Sequence, residues 1–217
     1  MYGERMRRLS RQGVIVGVVL LAATALAVSA FVRHAGRSEV DASLWFDDVP
    51  FSAAELGGIL PAEDLATIQR IAHAEVRRAF AGLPIRFSAT RQGRYHVLVV
   101  QEVRDPRFRR DVRLAGQSRG MTGVGGQGSV SFSFMASGAM VYSPAGADRA
   151  AIIDAIGRGI GRSAVHEFAH QFLPHAPLHA SRDRASYEFY SAARPQQFIG
   201  DMHWDLAWPM LQSRLER

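Results

Sequence analysis

The chain has 217 residues and no cysteine, which excludes a disulfide-stabilised scaffold and a zinc site built from thiolates. Its formal net charge is +6, and all 26 of its basic residues are arginine. Residues 1–30 carry four of these arginines and one glutamate, so the remainder has a net charge of only +3 and offers little support for nucleic-acid binding.

A short basic segment is followed by an apolar one. Residues 1–12 contain four arginines, and the twenty residues at 13–32 (GVIVGVVLLAATALAVSAFV) carry no charge. A stretch of this length spans the hydrocarbon core as a helix, and the positive-inside rule leaves the basic N-terminus in the cytoplasm. We therefore predict a transmembrane signal anchor at 13–32, with the rest of the chain in the periplasm or outside the cell. The alternative is a secreted protein whose signal peptide is cleaved at Val28-Ser29-Ala30.

The remaining chain is predicted to be a linker followed by one domain. Residues 33–60, rich in Arg, Gly, Ser and acidic residues, are predicted to be a linker and an irregular approach segment. The domain occupies residues 61–217 and begins with a predicted helix at 61–81, whose first turn is acidic and which Gly82 ends.

Strands and loops are predicted to follow this helix. The strands are at 85–87 and 95–103, and the arginine-rich segment 104–113 is a charged surface loop. Residues 120–128 (GMTGVGGQG) are predicted to be a mobile loop over a cleft. Two further strands, 129–134 and 139–142, are expected to pair with each other. One of them would form a sheet edge that binds an extended ligand.

The segment 150–173 is predicted to be a long helix. Apolar residues recur along it at helical spacing, Asp148 is a suitable N-cap, and Pro174 prevents continuation. Gly157 and Gly161 lie four residues apart and are expected to allow close packing beneath the sheet, since glycine inside a helix otherwise costs up to about 1 kcal/mol.

This helix carries an HExxH motif, His166-Glu167-Phe168-Ala169-His170. The two histidines share one helix face with Cβ atoms about 5–6 Å apart, so both imidazoles can reach one Zn²⁺ at about 2.0–2.1 Å. Glu167 lies one position further round the helix, where it can take a proton from water on the metal without being a ligand. The motif indicates zinc-dependent hydrolysis of a carbonyl substrate, most often a peptide bond.

A catalytic zinc site needs a third protein ligand and an open fourth position. Four residues after the helix are candidates: His175, His179, Asp183 and Glu188. His179 is favoured because it lies nine residues beyond His170, past a turn with two prolines, which is enough chain to reverse direction. The other three candidates remain open.

Aromatic residues are prominent after the motif. Tyr187 and Tyr190 are candidate donors to an oxyanion, although buried structural tyrosines are more common. A C-terminal group is predicted to anchor the tail on the core: Trp204, Leu206, Trp208, Met210 and Leu211.

Residues 149–181 resemble the active-site region of the zincin superfamily of zinc peptidases. The run HEFAHQFLPHAPLH is similar to short bacterial metzincin-like proteins, in which a Leu-Pro turn and then a histidine follow the HExxH helix. The resemblance implies that His166, His170 and His179 bind zinc and that Glu167 is the general base. It also implies an α+β, zincin-like domain with a small mixed β-sheet, a backing helix and the HExxH helix, here preceded by the transmembrane helix.

These inferences predict a membrane-anchored, extracytoplasmic zinc metallopeptidase that acts on a peptide or protein and not on nucleic acid. A non-catalytic anchored domain is the main alternative. It would bind a peptide or an envelope partner, and its zinc would be structural or absent. A closed site with both His175 and His179 bound would favour that alternative, since structural zinc leaves no open position. A hydrolase of amides outside proteins, such as a cell-wall crosslink, is a third possibility.

Overall fold

A computed structural model of the chain describes residues 39–104, 113–121 and 124–216. The predicted basic N-terminus (1–12), the membrane anchor (13–32) and most of the charged loop lie outside these ranges. Within them, no helix is both long and apolar enough to cross a membrane.

The described residues form a mixed α and β structure, as predicted. The strands are β1 (Val40–Phe46), β2 (Ser52–Ala53), β3 (Gly58–Ile59), β4 (Ile85–Ser88), β5 (Tyr95–Val100), β6 (Val103–Arg104), β7 (Arg113–Leu114), β8 (Gly116–Arg119) and β9 (Gly126–Ser131). Five of them make one sheet in the order β4-β1-β5-β9-β8, while β2-β3 and β6-β7 are separate pairs. All neighbours in the large sheet are parallel except β8, which runs antiparallel to β9.

The prediction that residues 33–60 are a linker is wrong from residue 40 onward. Strand β1 pairs with β4 on one side and with β5 on the other. Its Ala42, Ser43 and Leu44 are all fully buried. Along β1 the apolar residues Val40, Ala42, Leu44 and Phe46 alternate with Asp41 and Ser43, so the strand shows a period-two pattern that the linker prediction overlooked.

Four helices surround the sheet within the described ranges: α1 (Ala62–Ala79), α2 (Phe132–Tyr142), α3 (Arg149–Phe172) and α4 (Trp208–Leu215). The predictions for α1 and α3 are confirmed to within two residues at each end. The Asp148 carboxylate caps α3 by accepting a hydrogen bond from the Ala151 backbone N–H at 2.8 Å. Gly82, just beyond α1, has a φ of +90°, which favours glycine.

Helix α2 corrects the prediction of a second strand at 139–142 and of strand structure as far as 134. The Ser131 side chain ends β9 and caps α2, accepting from the Phe134 backbone N–H at 3.3 Å. The buried residues of α2, Phe132, Met135, Ala136 and Ala139, recur at helical spacing. The predicted mobile loop at 120–128 is also wrong in its second part, because strand β9 begins at Gly126.

Helix α3 packs on β5, β8 and β9 and also against α1. Gly157 and Gly161 contact α1, not the sheet as predicted. A Cβ on Gly161 would lie 2.6 Å from the Glu75 Cβ and 2.7 Å from the Ala72 carbonyl oxygen, and one on Gly157 would lie 2.7 Å from the Ile71 Cβ. Close approach to α1 therefore requires glycine at both positions, which also fixes the depth at which the HExxH helix sits in the core.

The predicted C-terminal anchor is confirmed in part. Leu211 is fully buried, and the Trp204 indole N–H donates to the Ala79 carbonyl at 2.6 Å. Leu206 and Met210 are instead 51% and 41% exposed. The tail therefore contacts the core through Trp204, Ala207, Trp208 and Leu211, while Leu206 and Met210 are more exposed.

Candidate metal centre

Three histidines converge at the C-terminal end of α3. The Nε2 atom of His166 lies 3.1 Å from that of His170 and 3.0 Å from that of His179, and the last pair is 3.2 Å apart. We refer to these residues as the three-histidine cluster. The structure thus brings together the three predicted ligands, close enough to bind one metal ion.

Two consecutive turns return the chain to the helix and place His179 in the cluster. The Ala176 N–H donates to the Leu173 carbonyl at 3.0 Å, and the Ala180 N–H donates to the Pro177 carbonyl at 3.0 Å. Leu178, within the second turn, is 3% exposed and packs into the core. Its burial holds the neighbouring histidine against the end of α3.

The other three candidate ligands lie outside the cluster. His175 is exposed on the first turn. Asp183 pairs with His203 at 3.0 Å. The Glu188 carboxylate is 1% exposed and accepts hydrogen bonds from the backbone N–H groups of residues 205–207 at 2.8–3.1 Å. These two carboxylates hold the loop after His179 to the C-terminal segment.

The environments of His166 and His170 favour neutral imidazoles, the form that binds a metal. His166 Nδ1 lies 2.8 Å from the Tyr187 carbonyl oxygen, so that nitrogen is assigned the proton and the Nε2 lone pair faces the cluster. Burial, and then the neighbouring His170, lower the pKa of His166 to about 3. Burial, and then His179, lower the pKa of His170 to about 4.

The spacing of the cluster fits an ion of the size of zinc. A tetrahedral ion about 2.0–2.1 Å from each nitrogen requires nitrogen–nitrogen separations of about 3.3–3.4 Å. The observed separations of 3.0–3.2 Å are within a few tenths of an ångström of that value. Small rotations of the three rings would therefore complete the geometry.

Strand β8 positions the Glu167 carboxylate beside the cluster. The Ser118 hydroxyl donates to Glu167 Oε2 at 2.7 Å. A Cβ on Gly116 would lie 2.5 Å from Oε1, so the strand can approach the carboxylate only with glycine there. Burial raises the pKa of Glu167 to about 7, while the Ser118 hydrogen bond acts in the opposite direction.

Sequence reasoning did not identify Gly116 or Ser118, and it expected the sheet edge at 129–134 or 139–142. The edge next to α3 is β8, since β9 lies inside the sheet and 132–142 is helical. The sequence GQSR shows alternating small and polar residues and no distinctive motif. Its role depends on antiparallel pairing with β9, which a single sequence does not reveal.

A cleft of about 360 Å³ runs past the cluster between β8, α3 and the segment 187–197. Tyr190 lines it and is 69% exposed, so its predicted role as an oxyanion donor stays open. Tyr187 is 3% exposed, and its phenol instead interacts with Arg78. Its contribution to the metal centre is the backbone carbonyl that orients His166.

Comparison of the chain with known protein families, with curated proteins and with solved structures gave no match.

Proposed function

We propose that the protein is a zinc-dependent peptidase of the zincin type. The observation that carries the proposal is the juxtaposition of three histidine lone pairs with the Glu167 carboxylate in an open cleft. Three protein ligands leave a coordination position for water or substrate, which is the arrangement of catalytic zinc sites.

The ligand set favours zinc over other metals. Three imidazoles without a thiolate or a carboxylate match the His₃ class of catalytic zinc sites, whereas two histidines and one carboxylate serve both zinc and non-haem iron. When bound, zinc would lower the pKa of a coordinated water and polarise the scissile carbonyl.

Glu167 supplies the proton transfers of the proposed reaction. Ser118 holds Oε2, and no described residue donates a hydrogen bond to Oε1, which is left to face the reacting groups. Glu167 accepts a proton from the attacking water and then delivers it to the leaving amine nitrogen. His166, held by the Tyr187 carbonyl, keeps the cluster aligned during these transfers.

The proposed substrate is an extended peptide bound along β8. One side of β8 pairs with β9, and no described strand pairs with its other side. Its free backbone groups could hydrogen-bond a peptide as an added strand beside Glu167. The proposal retains the predicted anchor at 13–32, so the substrate would be an extracytoplasmic peptide or protein.

The test uses the full-length chain purified without a metal-affinity tag. Its metal content is measured by elemental mass spectrometry, and its cleavage of a peptide library is followed by mass spectrometry. We expect about one zinc per chain, cleavage by the wild type, and extraction from membranes only with detergent. Glu167→Gln should keep the metal and lose cleavage, while His170→Ala should lose both. A metal-loaded wild type that binds peptides without cleaving them would instead support the non-catalytic alternative.

A further inference from the structure

The cleft continues past the three-histidine cluster into a region walled by two buried arginines. Arg162 and Arg194 both line it and are 1% and 2% exposed. Arg162 lies one helical turn before His166, and Arg194 follows the loop that carries Tyr187. This part of the cleft is therefore positively charged even without a metal.

Arg162 has partners for its charge and its donors. Its Nη1 and Nη2 donate to the carbonyls of Gln196 and Gly200 at 2.7 and 2.6 Å. Its Nε lies 3.4 Å from a carboxylate oxygen of Glu75. It acts mainly as a structural link between α3, α1 and the segment 196–200.

Arg194 differs, because no carboxylate among the described residues forms a direct ion pair with it. Its Nη groups donate to the carbonyls of Arg184 and Ser186, while its Nε is buried and has no partner among the described residues. Asp183, whose charge acts on Arg194, is itself paired with His203. Burial, together with neighbouring arginines, lowers the pKa of Arg194 to about 10, so the group remains a cation at neutral pH.

A buried cation without a counter-ion is destabilising, and an anion brought beside it removes that penalty. Guanidinium groups favour carboxylates in particular, because the planar fork matches the two oxygens. The Nε–H of Arg194 is buried and has no partner among the described residues, so a small shift of the surrounding loop would let an anion in the cleft supply one. The face of Phe189 packs on the guanidinium group, with the ring centroid 4.8 Å from the guanidinium carbon.

We infer that this end of the cleft is a carboxylate-binding subsite in which Arg194 selects substrates with an anionic group next to the scissile bond. The inference rests on the proposed peptidase function and specifies its substrate class. The carboxylate is either a Glu or Asp side chain or the free C-terminus of a peptide, and both present the same group to Arg194.

The test measures binding by full-length, metal-loaded Glu167→Gln protein, so that no turnover is required. Fluorescent peptide pools with one fixed position are compared by anisotropy: Glu with an amidated C-terminus, Gln with an amidated C-terminus, and Gln with a free C-terminus. We expect one of the two carboxylate pools to bind at least tenfold more tightly than the neutral pool. Which of the two does so identifies the source of the carboxylate.

Arg194→Gln in the same background should abolish this preference, and Arg194→Lys should restore part of it. Arg182→Gln removes the same charge from an exposed position of the same loop and should keep the preference. Metal content is measured in every variant, so that a loss of metal is not mistaken for a loss of the subsite. If the metal itself bound the carboxylate, the preference would survive the substitution of Arg194.

Equal binding of the three pools, or a preference that survives Arg194→Gln, would overturn the inference. If the wild type still cleaved neutral peptides in that case, the peptidase proposal would stand without the subsite. Absence of both cleavage and binding would refute the peptidase, and the subsite with it.

Discussion

Ser118→Ala is the most direct test of how β8 contributes to the site. The substitution removes one hydroxyl, which donates to Glu167 Oε2 at 2.7 Å and also lies 3.1 Å from the Glu167 carbonyl oxygen. Glu167 is 5% exposed, so water has little access to replace the lost donor. The carboxylate would lose the partner that directs its other oxygen into the cleft.

The expected loss follows from the charge of the acceptor. A hydrogen bond to an ionised group contributes about 1.5–3 kcal/mol, and about 1.4 kcal/mol corresponds to a tenfold change in rate. Because Ser118 acts on the base and not on the metal, we expect kcat to fall roughly tenfold to a hundredfold, with KM and zinc content little changed.

Steady-state cleavage of a fluorogenic peptide taken from the library, with metal analysis of each preparation, measures this effect. Ser118→Thr retains the hydroxyl and should recover most of the rate. An alanine variant within twofold of the wild-type kcat would refute the role assigned to Ser118. A variant that lost its zinc would show that β8 supports the metal centre itself.

Three further predictions concern metal binding and stability. His179→Ala should weaken zinc binding by more than about 100-fold in a chelator competition, whereas His175→Ala should leave it unchanged. Equal effects of the two substitutions would contradict the assignment of His179 as the third ligand. Gly161→Ala should lower the unfolding free energy by about 1–3 kcal/mol through overlap with α1, despite a gain of up to about 1 kcal/mol in helix propensity; calorimetry showing a higher Tm would contradict that packing. Burial, and then Arg77, lower the pKa of His73 in the folded protein. Below about pH 6.5 the unfolded state therefore binds a proton that the folded state does not, and the wild type loses stability as the pH falls. Urea unfolding in EDTA should therefore show that the unfolding free energy of His73→Gln rises relative to that of the wild type as the pH falls from 7.5 to 5. A difference that stays constant over this range would contradict the burial of a neutral His73.

The long α3 helix and its motif could be predicted because their determinants are local. Asp148 caps the helix, apolar residues recur at its period, and residues four apart share one face. Helix geometry alone therefore sets the relative positions of His166, Glu167 and His170, whatever packs around them.

The third ligand was only partly determined by the sequence. Chain length allowed His175, His179, Asp183 or Glu188 to reach the metal. The choice of His179 depends on two turns and on the burial of Leu178, which is a property of the packed core.

Strand β1 and helix α2 were predicted wrongly for different reasons. The apolar residues of β1, Val40, Ala42, Leu44 and Phe46, alternate with Asp41 and Ser43, so its sequence carries a strand pattern that the linker prediction overlooked. The run VSFSF at 130–134 alternates as a strand does, although the Ser131 cap starts helix α2 within it. There the cap and the packing of the helix outweighed the local preference for a strand.

The sequence by itself determined the chemistry of the site: two histidines, a carboxylate and the helix that aligns them, all within five consecutive residues. Only the tertiary structure decided what surrounds that chemistry. Ser118 comes from an edge strand, the Tyr187 carbonyl from a distant loop, and Arg194 from the far wall of the cleft. Spacing along a helix is dictated by backbone geometry, whereas contacts between distant segments depend on how the whole core packs.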